Sequence, residues 1–124
     1  MEIKFYRCPI CGQIAIKVLD KSIPLVCCGK PMEELKPNTT DAANEKHVPV
    51  IVREGNKVVV KVGEVAHPMT DAHYIQWILL VTSKGNQRKE LTPSSLPEAT
   101  FYVGEDEEVL GAYEYCNLHG LWKK

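Results

Sequence analysis

From residue 45 onward, valine-rich runs alternate with short turn signals. "HVPVIVR" (47–53) and "KVVVKVGEV" (57–65) flank "EGN", where Gly55 and Asn56 supply a turn. "HYIQWILLVTS" (73–83) is a longer apolar run, followed by the turn "KGNQ" at 84–87. "RKELT" (88–92), "ATFYV" (99–103) and "EVLGAYEY", ending at Tyr115, complete the series. Short β-branched and aromatic runs punctuated by turn residues predict strands, and their spacing predicts a small sandwich or barrel. No segment carries a sustained helical period. The stretch "TTDAANEK" has room for one helical turn capped by Thr40 or Asp41. Residues 37–44, "PNTTDAAN", are small and polar with a proline, and read as a linker.

Residues 1–36 differ in kind. They hold four of the five cysteines and lack the length to form a core alone. The pattern is Cys8-x2-Cys11, then fifteen residues, then Cys27-Cys28. In "CPICG", Pro9 restricts the backbone and Gly12 can adopt a positive φ, so a tight knuckle can aim amide N–H groups at a thiolate. "CCGK" repeats the Cys-Gly feature. Vicinal cysteines rarely bridge each other, because the linkage is strained. Four thiolates at this spacing predict a closed tetrahedral metal site, for which zinc and iron are the usual occupants. A zinc ribbon would use a second C-x2-C in place of the vicinal pair.

His47, His67, His73, Cys116 and His119 form a second constellation, gathered near the ends of predicted strands. "CNLH" (116–119) is a compact two-ligand chelate by itself. One thiolate with several imidazoles suits a redox metal, iron or copper. A blue-copper site would draw on Met69 as its axial ligand, but it would leave two of the histidines idle. Trp77 and Trp122 read as packing residues, and Pro49 and Pro68 as shaping the backbone around neighbouring histidines.

The chain has 124 residues and a net charge of −1, which argues against nucleic acid as the main partner. The start, "MEIKFYRC", has no apolar run fit for a signal peptide, and no run is long enough to cross a bilayer. A cytoplasmic, soluble protein without a membrane partner is expected. In that compartment closely spaced cysteines are more often metal ligands than disulfides.

The motifs "EKHVPVI" (45–51), "HPM" (67–69) with "HYIQW" (73–77), and "YCNLHGLW" (115–122) resemble those of the superoxide reductase family. "CPICG" with "CCG" resembles the desulforedoxin-type module, so the whole chain resembles the two-iron desulfoferrodoxin type. The resemblance implies an all-β architecture, with a desulforedoxin-like module at 1–36 and an immunoglobulin-like β-sandwich at 45–124. It implies an Fe(Cys)4 centre on Cys8, Cys11, Cys27 and Cys28. It also implies an Fe(His)4(Cys) centre, with His47, His67, His73 and His119 in a plane, Cys116 axial and the sixth position open. The implied reaction is one-electron reduction of superoxide to hydrogen peroxide, with a rubredoxin-like protein as electron donor and a homodimer as the assembly. Lys46 would steer the anion and order a water for protonation. Glu45 would be a mobile sixth ligand that closes the ferric site. Both can serve only from a loop, since consecutive strand residues point to opposite faces. A pure electron carrier, a zinc-stabilised binding module and a dismutase are the competing classes.

Overall fold

The computed structural model describes residues 3–124; Met1 and Glu2, the start of the expected N-terminal module, lie outside the described residues. The chain divides into two compact units, Met1–Lys36 and Pro37–Lys124.

The first unit is built from very short strands: β1 (Phe5–Arg7), β2 (Ile14–Ile16), β3 (Val26–Cys27), β4 (Lys30–Pro31) and β5 (Glu33–Leu35). β2, β1 and β5 form one antiparallel sheet, and β3 and β4 form a hairpin. Phe5 and Cys8 are buried, whereas Ile10, Val18, Leu19, Ile23 and Val26 are exposed. So little apolar burial cannot offset the entropy of ordering the segment. Gly12 and Gly29 adopt φ of +82° and +72°, as the two Cys-Gly turns require.

The second unit opens with one helical turn, α1 (Asn44–His47). Seven strands follow: β6 (Pro49–Glu54), β7 (Lys57–Val62), β8 (Ile75–Thr82), β9 (Gly85–Glu90), β10 (Glu98–Tyr102), β11 (Val109–Cys116) and β12 (Gly120–Lys123). They make two antiparallel sheets, ordered β10-β7-β6 and β12-β11-β8-β9. Along β7 the pleat buries Val58, Val60 and Val62 and turns Lys57 and Lys61 outward. Ile75, Ile78 and Leu80 of β8, Phe101 of β10 and Ala112 of β11 pack against those valines in one core. Burying side chains of this kind contributes about 1.5–3 kcal/mol each, which holds the sandwich together without a metal.

The architecture is all-β apart from α1, as the valine runs predict. Four local expectations differ. The helical turn lies at Asn44–His47 with Ala43 as its cap and no side-chain capping bond, so neither Thr40 nor Asp41 caps it. His47 ends that turn and does not start a strand, and Glu45 and Lys46 ride on the turn itself. β8 begins at Ile75, which leaves His73 in the preceding loop. β12 was not anticipated; four residues after a tight turn carry too little pattern to register. Asn38 holds β12 from its outer side. Its amide N–H donates to Leu121 O at 3.1 Å, its Nδ2 donates to Lys123 O at 3.0 Å, and its Oδ1 accepts from Lys123 N–H at 2.8 Å.

Candidate metal centres

In the first unit the C-P-I-C turn folds back on itself, with Gly12 N–H donating to Cys8 O at 3.0 Å. That turn aims Ile10 N–H at Cys8 Sγ (3.4 Å), Cys11 N–H at the same sulfur (3.5 Å) and Gln13 N–H at Cys11 Sγ (3.5 Å). Cys27 and Cys28 enter from the β3–β4 turn, where Cys28 itself adopts φ of +54°. The four sulfurs lie within 4.8 Å of one another, with Cys11–Cys27 at 3.6 Å and Cys27–Cys28 at 3.9 Å. All are free thiols. A tetrahedron with metal–sulfur bonds of ~2.3 Å has sulfurs ~3.8 Å apart, so the spacing fits one tetrahedral ion.

The acid–base state of this cluster points the same way. The Cys11 amide, against the opposing effect of burial and with help from the Ile10 amide, brings Cys8 down to about 6. Crowding by the neighbouring sulfurs, Cys11 first, pushes Cys27 up to about 12. Four thiolates cannot coexist at this separation without a cation among them.

In the second unit, five donor atoms lie within 4.8 Å of one another, from His47, His67, His73, Cys116 and His119. The elements that supply them are α1 for His47, the β7–β8 loop for both His67 and His73, the end of β11 for Cys116, and the turn into β12 for His119. The four rings form a closed cycle in which each stands edge-on to its two neighbours. The centroid distances are 4.7 Å (His47–His67), 4.6 Å (His67–His73), 5.0 Å (His73–His119) and 4.9 Å (His119–His47). Cys116 Sγ lies 3.5 Å from His67 Nε2 and 3.9 Å from His119 Nδ1.

Hydrogen bonding decides which ring atoms are free. His47 Nδ1 lies 2.8 Å from Ala43 O, and His67 Nδ1 lies 2.6 Å from Pro68 O. A carbonyl only accepts, so both Nδ1 atoms carry the proton and both Nε2 atoms present lone pairs. Yet those two Nε2 atoms face each other at 3.2 Å, where neutral rings have no proton to share. His73 Nε2 is buried with no hydrogen-bond partner among the described residues, and His119 Nδ1 approaches His47 Nε2 to 3.1 Å. Two nitrogens bound at right angles to one ion at ~2.1 Å would sit ~3.0 Å apart. The donor set fits a single metal ion.

Burial holds the rings neutral and ready to ligate. It brings His67 down to about 4, with smaller contributions from the neighbouring rings, and it lowers His47 and His73 as well. Burial raises the Cys116 thiol, while the Leu118 and His119 amides oppose that rise by donating to its sulfur. Cys116, His47 and His67 are buried, and His73 and His119 are half-buried, so the site opens on the His73–His119 side.

Lys46 is exposed, and its cation acts on both His47 and His73. Glu45 is also exposed, outside the five-donor cluster, on a cleft of about 630 Å³ shared with Ile51, Glu64 and Lys124. Met69 is not brought to the site: its sulfur accepts from Ile75 N–H at 3.4 Å and packs on the core. Pro68 orients His67 through its carbonyl.

Two residues beside the site carry no ligand signature in the sequence. Trp122 stacks on the His47 ring (centroids 4.9 Å, planes 27° apart) and donates Nε1–H to His119 O at 3.0 Å. Its position three residues after His119 was the available signal. Glu114 is fully buried, neither oxygen has a hydrogen-bond partner among the described residues, and burial pushes its carboxyl up to about 9. Its place on an apolar strand two residues before Cys116 was the signal there.

The fold and the two donor sets define a class: a small, non-haem protein with a four-cysteine centre in one unit and a four-histidine, one-cysteine centre in a β-sandwich. Residues 39–124 match the Desulfoferrodoxin family, and residues 1–35 match the Desulfoferrodoxin N-terminal domain. The chain belongs to the desulfoferrodoxin family of superoxide reductases. It is 50% identical over 121 residues to a desulfoferrodoxin homolog of Archaeoglobus fulgidus, covering 98% of this chain and 95% of that one. It is 47% identical over 122 residues to the desulfoferrodoxin of Nitratidesulfovibrio vulgaris, covering 98% and 95%. Among solved structures, the superoxide reductase from Treponema pallidum superposes with a TM-score of 0.85 at 42% identity, covering 100% of this chain and 99% of that one. The two donor sets match the two-iron architecture of this family.

Proposed function

We propose that this protein is an enzyme that reduces superoxide: one superoxide anion, one electron and two protons give one hydrogen peroxide. The observation that carries the reading is the convergence of unprotonated ring nitrogens on one point beside Cys116. His47, His67 and His73 through Nε2, His119 through Nδ1 and Cys116 through Sγ would hold the catalytic iron, and Cys8, Cys11, Cys27 and Cys28 the second. Residues 1–36 are then the four-cysteine module, 37–44 the lead-in, and 45–124 the catalytic domain. Bound iron supplies the one-electron chemistry.

This chain's residues do the rest. Four neutral imidazoles and one thiolate around a divalent ion leave a net charge of +1, which draws an anion. Lys46 adds a cation on the same side and holds the water from which a proton is passed. The Cys116 thiolate would donate electron density to a bound iron, as cysteine does in haem proteins, and the Leu118 and His119 amides, which donate to its sulfur, would temper that donation. Glu45, two residues before His47 on the exposed side of the same turn, would be the carboxylate that closes the site once the iron is oxidised, as the family resemblance implies.

A rubredoxin-like protein returns the electron. The exposed Ile10, Val18, Leu19, Ile23 and Val26 of the first unit support a homodimer that covers them. Five free cysteines support the cytoplasm as the compartment, and among the described residues no helix is long and apolar enough to cross a membrane. The deciding experiment gives anaerobically reduced protein a measured dose of superoxide and follows both products. Peroxide without dioxygen is expected; dioxygen formed in step with peroxide would sink the reductase assignment in favour of a dismutase.

A further inference from the structure

His73 is held differently from its neighbours in the ring cycle. His47 and His67 are each oriented by a carbonyl on their second nitrogen, and Trp122 holds the His119 carbonyl. Among the described residues no hydrogen bond reaches the His73 ring. Besides its edge contacts with the His67 and His119 rings, its placement depends on its main chain, which lies outside β8 in a loop stretch, 68–74, of exposed and half-buried residues.

That loop is tied down at two points. Within it, Thr70 N–H donates to His73 O at 2.9 Å and His73 N–H donates to Thr70 O at 3.1 Å. From outside, Asn117 makes three hydrogen bonds to Ala72 and Tyr74. Tyr74 N–H donates to Asn117 Oδ1 at 2.9 Å, Asn117 Nδ2 donates to Ala72 O at 3.0 Å, and Asn117 N–H donates to Tyr74 O at 3.2 Å. The carboxamide thus grips both residues flanking His73. It does so from inside the Cys116–His119 chelate, just past a register shift between Tyr115–Trp77 and Cys116–Ile75. Such a shift re-aims side chains at the end of a ladder.

We infer that Asn117 is the positioning residue for His73, and that it makes the fourth imidazole and the Cys116–His119 chelate one mechanical unit. The inference rests on the five-donor reading of the second centre. Only an amide side chain presents an acceptor and a donor side by side at this length. Aspartate keeps the acceptor for Tyr74 N–H and loses the donor to Ala72 O; alanine loses both.

The test uses the iron-loaded full chain, with the four-cysteine centre as internal control. A chelator competes for the second iron while the Cys116 sulfur-to-iron band is followed, and hydrogen exchange of the Tyr74 amide is measured in the metal-free chain. Loss of an outer partner of a metal ligand typically lowers affinity 10–100-fold. Asn117→Ala is expected to weaken iron retention at the second centre by about that factor, shift the Cys116 band and speed Tyr74 exchange. Asn117→Asp is expected to fall between alanine and wild type. In a His73→Ala background, Asn117→Ala should change affinity by less than about twofold, because the two act through one ligand. Wild-type retention and an unshifted band in Asn117→Ala would overturn the inference, and so would an equal loss with and without His73. A wild-type chain lacking any Cys116-dependent band would overturn the five-donor reading itself, an outcome distinct from the other two.

Discussion

Facing lone pairs, as between His47 Nε2 and His67 Nε2, mark a site that is incomplete without a cation. Cys116→Ser tests the thiolate's share. It is expected to abolish the sulfur-to-iron band and most activity while leaving the four-cysteine spectrum intact; an unchanged visible spectrum would remove Cys116 from the ligand set. Gly63 matters through the space it leaves. A Cβ there would lie 2.8 Å from Glu45 O, 3.0 Å from Val48 O and 3.1 Å from Lys46 C, while Val65 N–H donates to Glu45 O at 2.9 Å. Gly63→Ala therefore has to push α1 away, and overpacking of this kind costs about 1–3 kcal/mol. A urea titration of the metal-free protein should show that loss, and an unshifted midpoint would mean that α1 yields freely. All nine donor residues of the two clusters were legible in the sequence, because the chain has only five cysteines and four histidines and the two sets use every one of them. Gly63, Asn117, Trp122 and Glu114 were not, because each acts through a neighbour distant in sequence or through burial, and neither has a local signature.

Elements in this protein are anchored by single well-connected side chains. Arg53 at the end of β6 donates to Gly55 O, Glu107 O and Gly104 O. Glu107 accepts from Gly104 N–H at 2.8 Å and from the Thr82 hydroxyl, so the 104–108 loop is clasped between the β6–β7 turn and the end of β8. The Gly104 amide, then Thr82, hold the Glu107 carboxyl below its ordinary value. A carboxylate depressed in the folded state contributes stability that is fully present above its unfolded pKa and is lost as pH falls through the folded one. Acidification below about pH 4.5 should therefore loosen this loop. Glu107→Gln is expected to lower the Tm at pH 7 and to make it less sensitive to acid than in wild type. Equal Tm values at pH 7 would show that the carboxylate anchors nothing. Strand positions in the second unit were readable from valine-rich runs between turn signals, as in β7. Their ends were not, since His47 and His73 continue apolar runs yet leave the strand where a turn or the Asn117 grip takes their backbone groups.

At the scale of the molecule, two units achieve order by different means. The sandwich buries its own core, whereas in the first unit Phe5 alone of the described large apolar side chains is buried, and the unit depends on metal binding free energy for its fold. Cys11→Ser combined with Cys28→Ser is expected to unfold residues 1–36 and concentrate proteolytic cleavage there, with the second centre's spectrum retained. Cleavage spread over both units would show that the sandwich depends on the module. The sequence alone determined the class of chemistry: which residues can bind a metal, that there are two sets of them, and that β-branched runs between turns make the rest a sandwich or barrel, of which the family resemblance chose the sandwich. Those properties follow from side-chain type and the spacing of turn residues. Tertiary structure decided which nitrogen of each histidine is free, which face of the site is open, and which residues hold the ligands in place. Each of these depends on carbonyls, rings and amides that meet only when residues far apart in the chain are packed together.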